Sequence, residues 1–229
     1  MTRLSQQQLL EIYQRLFDHF GPQHWWPADS PLEMALGAIL TQNTNWNNVE
    51  KALNNLKRAK ALSIARLVTL PTQELQELIR PSGFFRQKAV RIKLFLRHIN
   101  LHHDGELSSL LNQDLPRARS ELLGLTGIGP ETADSILLYT GKQPSFVIDA
   151  YTVRLLQRLG MIEQNPSYAA LYQAFMATLP ADAGLFNEFH ALIVRACKSC
   201  CHKRSPRCLD CPLCPLCRTG QIHLGRHQQ

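Results

Sequence analysis

The segment Leu125-Thr126-Gly127-Ile128-Gly129-Pro130-Glu131-Thr132-Ala133 constrains this 229-residue chain more than any other. From Ser120 onward, Leu122, Leu123 and Leu125 precede the glycines, and Ile136, Leu137 and Leu138 follow them, so two apolar helical patterns flank a short turn. Gly127 and Gly129 permit positive φ and a close approach of backbone to a ligand. Pro130 suits the first turn of a new helix, where its missing N–H is no loss. A helix that starts beside a side-chain-free turn offers its N–H groups and dipole to an anion. Gly127, Ile128 and Gly129 are therefore candidate phosphate-binding positions, although a plain helix–helix turn would also use this pattern. Farther on, Val147-Ile148-Asp149 ends an apolar run on a carboxylate. Asp149 also reads as the N-cap of a helix starting Ala150-Tyr151-Thr152. The two roles are compatible, because a capping carboxylate is held rigidly.

The rest of the chain reads as helix. Apolar periodicity predicts helices over 5–20, 31–40, 45–60, 72–80, 86–100, 118–123, 131–139, 151–159, 167–179 and 183–196. Gly21-Pro22, Pro81-Ser82-Gly83, Gly141 with Pro144, and Asn165-Pro166 punctuate them. No strand alternation, internal repeat or low-complexity stretch is visible, and residues 218–229 read as a polar tail. The formal net charge of +7 and pI near 9.2 suit a polyanionic partner. Lys57, Arg58, Lys60, Arg86, Lys88, Arg91 and Lys93 recur as basic positions that a solvated helix face would also explain. No apolar run is long enough to span a membrane, and no secretory signal is visible, so a cytoplasmic setting is expected.

Two residue types are unevenly placed. All three tryptophans, Trp25, Trp26 and Trp46, lie in the first 46 residues, with Pro27 after the first two. All seven cysteines, at 197, 200, 201, 208, 211, 214 and 217, crowd one loop near the C-terminus. In a reducing compartment such a loop reads as a metal site rather than as disulfides. Zinc and an iron–sulfur cluster are both compatible with thiolate ligands.

Taken together, Leu40-Thr41-Gln42-Asn43-Thr44, Gly83-Phe84-Phe85-Arg86-Gln87-Lys88-Ala89, the Gly127–Pro130 turn, the Asp149 segment and the cysteine loop resemble the endonuclease III family of helix-hairpin-helix DNA glycosylases. The resemblance runs over roughly residues 30–217. It implies an all-α fold of two helical domains flanking a DNA-binding cleft. One is a six-helix domain, about 30–140, that holds the hairpin. The other joins 1–29 to 141–217 and carries the cysteine loop. It also implies a partner, double-stranded DNA with damaged bases, and a monomeric enzyme of base excision repair.

The resemblance further implies residue roles. Asp149 matches the catalytic carboxylate. Glu131 stands where bifunctional members carry the lysine that forms a Schiff base with the sugar. A glutamate cannot form one, so a monofunctional hydrolase is expected; Lys142 is the nearby amine. Trp25, Trp26, Pro27 and Trp46 resemble the base pocket of the 3-methyladenine glycosylase branch, and indole is the best cation–π face for a positively charged alkylpurine. That branch has a lysine near the base where this chain has Leu192. Gln42 and Phe84 match wedge residues that fill the gap left by a flipped base, with Phe85 able to exchange roles with Phe84. Cys201, Cys208, Cys211 and Cys217 reproduce the C-x6-C-x2-C-x5-C spacing of the family's [4Fe–4S] loop, leaving Cys197, Cys200 and Cys214 spare. His202, Lys203, Arg204 and Arg207 make this loop basic, a candidate phosphate contact. Three functions fit the pattern: a monofunctional glycosylase for alkylated purines, a bifunctional glycosylase and abasic-site lyase on oxidised pyrimidines, and a catalytically silent damaged-DNA-binding protein.

Overall fold

Helix after helix begins where a short polar side chain can satisfy an orphan N–H. Ser5, Ser30, Asn45, Asp114, Asp149, Ser167 and Asp182 each accept a hydrogen bond from the backbone three residues on. The computed structural model describes residues 4–26, 28–163 and 166–226, and among them there is no strand. The helices are α1 (Gln6–Phe20), α2 (Pro31–Leu40), α3 (Trp46–Arg58), α4 (Ile64–Thr69), α5 (Thr72–Leu78), α6 (Phe85–His102), α7 (Leu107–Leu111), α8 (Leu115–Leu123) and α9 (Pro130–Ser135), then α10 (Ala150–Leu159), α11 (Tyr168–Thr178), α12 (Ala183–Ser199) and α13 (Arg218–Arg226). No described helix is long and apolar enough to cross a membrane.

The chain divides into two compact units, Trp26–Ser145 and Met1–Trp25 with Phe146–Gln229. In the first, the apolar stripes of α2 (Leu36, Ile39, Leu40), α3 (Val49, Leu53, Leu56) and α6 (Ile92, Phe95, Leu96) close on one core with Ile136 and Leu137. Residues spaced three and four apart share a helix face, which is why these positions bury together. Two lysines lie inside this unit. The Lys88 ammonium donates to Leu40 O (2.8 Å) and Ser82 O (2.6 Å). That of Lys93 donates to Leu67 O (2.7 Å), Val68 O (3.0 Å) and Leu70 O. Both place a cation on the carbonyl end of a helix, α2 and α4, where the dipole favours it. Burial pushes the Lys88 pKa down to about 8. Lys88 and Lys93 are thus absent from any basic surface, and Lys57 is paired with Asp29 and Glu33 at 2.7 and 2.6 Å.

The second unit builds its core from Leu9, Ile12 and Leu16 of α1 and an aromatic group around Phe146. Phe146 stacks on Phe175 at 4.1 Å and meets Phe186 and Phe189 edge-on at 5.3 and 5.9 Å. These geometries suit the ring quadrupoles.

Three departures from the sequence expectation have local causes. The short helices α4 and α7 are too brief for a periodic signal. The helix expected through Tyr139 stays α-helical only to Ser135 and then widens into a π-turn over Ile136–Thr140. There the Ser135 hydroxyl takes up Glu131 O at 2.7 Å, a back-bond that perturbs a helix. The segment expected as a polar tail is helical over Arg218–Arg226. It rests on the cysteine loop through a glycine, a contact with no apolar signature: a Cβ on Gly220 would lie 2.9 Å from Cys214 O and 3.0 Å from its Sγ.

Candidate nucleic-acid and catalytic site

In the hairpin between α8 and α9, only Gly127 is left-handed, at φ +89°. Gly129 lies at φ −87° and a Cβ there meets nothing within 4 Å, so the expected need for positive φ holds at one glycine. A Cβ on Gly127 would sit 2.4 Å from Arg91 Cγ. Ile128 is buried and its N–H donates to Leu125 O at 3.0 Å, so this amide is committed within the turn. Gly127→Ala is expected to weaken duplex DNA binding about tenfold, 1.4 kcal/mol, by fluorescence anisotropy. Gly129→Ala should retain wild-type thermal stability. Equal behaviour of the two variants would count against the left-handed turn.

Gln42 belongs to the same hairpin. Its Nε2 donates to Gly127 O (3.1 Å) and Thr132 Oγ1 (2.9 Å), and its Oε1 accepts from Arg91. Through these bonds the side chain braces the turn. Beside it, Asn43 is exposed on left-handed backbone at φ +54°. Phe84 stands on α6's threshold at φ +46° and is 62% exposed, as an inserting side chain requires. Phe85 is instead half-buried, with the guanidinium of Arg80 at 5.1 Å from its ring.

A second pair of contacts ties the two hairpin helices together. Arg119 of α8 grips Asp134 of α9 with Nε and Nη2, at 2.8 and 3.1 Å. Asp134 is fully buried and also accepts from Ser145 Oγ at 2.7 Å. Glu131 is exposed in the first turn of α9, and Lys142 is exposed at φ +50°.

The tryptophans separate. Trp26 and Trp46 meet each other edge-on, 4.8 Å between centroids at 72°, and Trp26 meets Tyr139 at 5.1 Å and 74°. Gly37 lies beneath both indoles: a Cβ there would approach Trp26 Cζ2 and Trp46 Cη2 at 3.6 Å. Because Trp26 and Trp46 touch, this conformation has no slot between them for a base. Trp25 belongs to the other unit, with the Lys198 ammonium 5.7 Å from its ring. Pro27 lies outside the described residues.

Asp149 sits at the start of α10. Its Oδ1 accepts from Thr152 N (2.7 Å) and Thr152 Oγ1 (3.0 Å), and its Oδ2 lies 3.5 Å from His190 Nε2 of α12. Burial pushes the carboxyl pKa up, but His190 and Thr152 more than offset it, and the group titrates below the ordinary aspartate range. Asp149 is therefore ionised at neutral pH. A depressed folded pKa gives stability that is present above the unfolded value, near pH 4, and lost as pH falls through the folded value. His190 was not a sequence candidate; its one signal is a titratable ring inside the apolar run Phe189-His190-Ala191-Leu192. Leu192 is fully buried core.

None of the seven cysteines is paired in a disulfide. Cys200, Cys201, Cys208, Cys211, Cys214 and Cys217 line one cavity; Cys197 lies behind Cys201, in side-chain contact with it, and donates to Tyr151 O at 3.6 Å. Arg158 Nη1 donates to Cys201 Sγ at 3.1 Å, and Cys217 Sγ donates to Arg158 O at 3.2 Å. Thiols gathered around a common cavity are a donor set that fits a thiolate-bound cluster. In the basic loop, Arg207 is engaged locally, with Ser199 O at 2.8 Å and Asp210 at 3.3 Å.

Known proteins are similar to this chain in sequence and fold. Residues 36–181 match the model of the HhH-GPD superfamily base excision DNA repair proteins. A protein of Methanocaldococcus jannaschii named as a DNA repair glycosylase is 43% identical over 211 residues, 91% of this chain and 95% of the relative. The H. pylori 3-methyladenine DNA glycosylase, solved with 1,N6-ethenoadenine, superposes with a TM-score of 0.73 at 30% identity, covering 85% of this chain and 98% of that one. A non-covalent endonuclease III–DNA complex gives a TM-score of 0.82 at 25% identity, covering 96% and 99%. With its hairpin, its capping aspartate and its cysteine loop, the chain belongs to the HhH-GPD superfamily as an endonuclease III-like base excision repair DNA glycosylase.

Proposed function

We propose that this glycosylase is monofunctional and releases alkylated purines of the 3-methyladenine type from duplex DNA. The observation that carries the reading is Asp149: ionised, and braced on Oδ1 by Thr152 while Oδ2 faces His190. In the reaction the C1′–N bond breaks, and its electron pair leaves with the base. A cationic alkylpurine departs neutral, so no strong acid is needed. The sugar becomes oxocarbenium-like, as in glycoside hydrolysis. The Asp149 carboxylate stabilises that charge and takes the proton of the attacking water, whose oxygen bonds to C1′. His190, beside Oδ2, is a positioning residue. Glu131 offers no amine for a Schiff base, so the product is an intact strand with an abasic site.

The partner is damaged duplex DNA. The N–H groups of Gly127 and Gly129 serve a backbone phosphate, supported by the open approach at Gly129, where a Cβ would meet nothing within 4 Å. Phe84 fills the stack after base extrusion, which costs a few kcal/mol; its exposure supports the role. Gln42 holds the turn to which the phosphate binds. The π faces of Trp26 and Trp46 suit a positively charged purine, with the base on a ring face rather than between the indoles. Cys201, Cys208, Cys211 and Cys217 hold a [4Fe–4S] cluster, supported by their common cavity. Bound, the cluster supplies a cross-link of residues 201–217.

A cleavage panel tests the reading. Duplexes carrying 3-methyladenine, thymine glycol, uracil or an abasic site are incubated with the iron-loaded enzyme and resolved with and without alkali. Breaks only after alkali, at the alkylated purine, are expected. Strand breaks without alkali at thymine glycol or the abasic site, together with borohydride-trapped adduct, would make the enzyme bifunctional and assign the amine to another residue such as Lys142.

A further inference from the structure

The end of α6 and the middle of α8 bring together a donor set that glycosylase chemistry leaves unused. His98 and His103 both direct Nε2 at Glu121 Oε1, each at 2.5 Å. These three donor atoms all lie within 4.8 Å of one another. They are not surface accidents: the side chains are 19%, 10% and 22% exposed. The second carboxylate oxygen is held by Gln113 Nε2 at 2.7 Å, which fixes the plane of Glu121. The group opens on a surface depression that His102 and Arg117 also border. The His102 ring lies 4.6 Å from that of His98, one helical turn away on α6.

We propose that His98, His103 and Glu121 form a divalent transition-metal site, with zinc the ion its donors suit best. Two imidazoles and one carboxylate are a recurrent zinc set that leaves a coordination position for water, and the opening of the depression admits one. Imidazole also selects zinc over magnesium or calcium, which prefer all-oxygen sites. Gln113 plays the outer role that orients a ligating carboxylate. Without metal, the same residues make a hydrogen-bonded His–Glu–His cluster, and the convergence of two ring nitrogens on one oxygen is what a cation replaces. Glu121 lies in α8, the helix that leads into the Gly127 turn, so the ion would fasten α6 to the first helix of the hairpin.

The test is a Zn2+ titration of the full chain with its iron content intact, followed by histidine 15N NMR and by metal analysis after desalting. Two imidazoles are expected to shift and saturate at one added zinc per chain, with a zinc-dependent rise in melting temperature. Glu121→Gln should abolish both effects, and Gln113→Ala should weaken zinc binding roughly tenfold. Should Glu121→Gln fail to fold, the wild-type spectra still decide. Zinc uptake with no saturating imidazole shift would place the ion on the cysteines and overturn the site. Absence of retained zinc would leave a hydrogen-bonded cluster only, and would also overturn it.

Discussion

Replacing Asp149 with asparagine is expected to slow base release by about 100- to 10,000-fold while leaving the fold and DNA affinity in place. The asymmetry follows from the two jobs of this side chain. As the N-cap of α10 it accepts from Thr152 N, and asparagine caps as well as aspartate. In the proposed reaction its charge stabilises a sugar that becomes positive, and the amide carries none. Single-turnover release from an alkylated duplex, anisotropy with the same duplex and a thermal melt separate the two. Retained activity would remove Asp149 from the chemistry. A large fall in melting temperature would make it chiefly structural. His190→Gln provides the companion measurement: if the ring positions the carboxylate, the acid limb of the pH–rate profile moves, whereas a purely structural loss lowers the rate at every pH.

Arg119→Met should cost about 3–5 kcal/mol of stability, because it strands a buried carboxylate. Asp134 is fully buried, and Arg119 grips both of its oxygens. At roughly 2–4 °C per kcal/mol for a chain of this size, the melting temperature should fall by about 10 °C. The double variant Arg119→Met with Asp134→Asn should recover part of the loss, since the stranded charge is gone. No recovery would mean that Arg119 acts through packing of its stem. Since this pair joins α8 to α9, the single variant should also lose DNA affinity at temperatures where the protein is still folded.

Neither the Arg119–Asp134 pair nor the Asp149–His190 pair is a pattern along the chain. Their partners stand 15 and 41 residues apart, and nothing in the intervening sequence marks them as neighbours. The same holds for Lys88 and Lys93. In sequence they extend a basic series that fits a polyanionic partner or a solvated helix face; in the structure they are buried on backbone carbonyls. Charge is legible from composition, but its exposure is not.

What the sequence determined by itself was local or repeated. Apolar spacing and cap residues are short-range, so α2 was legible to the residue as Pro31–Leu40, and Asp149 was recognisable as a cap. The Gly-x-Gly turn and the cysteine spacing are likewise local, and they carried the family. Tertiary structure alone shows that Gly127 is left-handed and Gly129 is not, and that Arg91 packs against the former. It gave the Gln42 amide its partners, Gly127 O and Thr132, from 85 and 90 residues away. It set Trp26 against Trp46 and left Trp25 in the other unit, although Trp25 and Trp26 are adjacent in sequence. It also gathered His98, His103 and Glu121 from two helices into one donor set. The physical reason is common to all four: periodicity and capping act within a few residues, whereas side-chain partners are chosen by packing between helices, on which local sequence is silent.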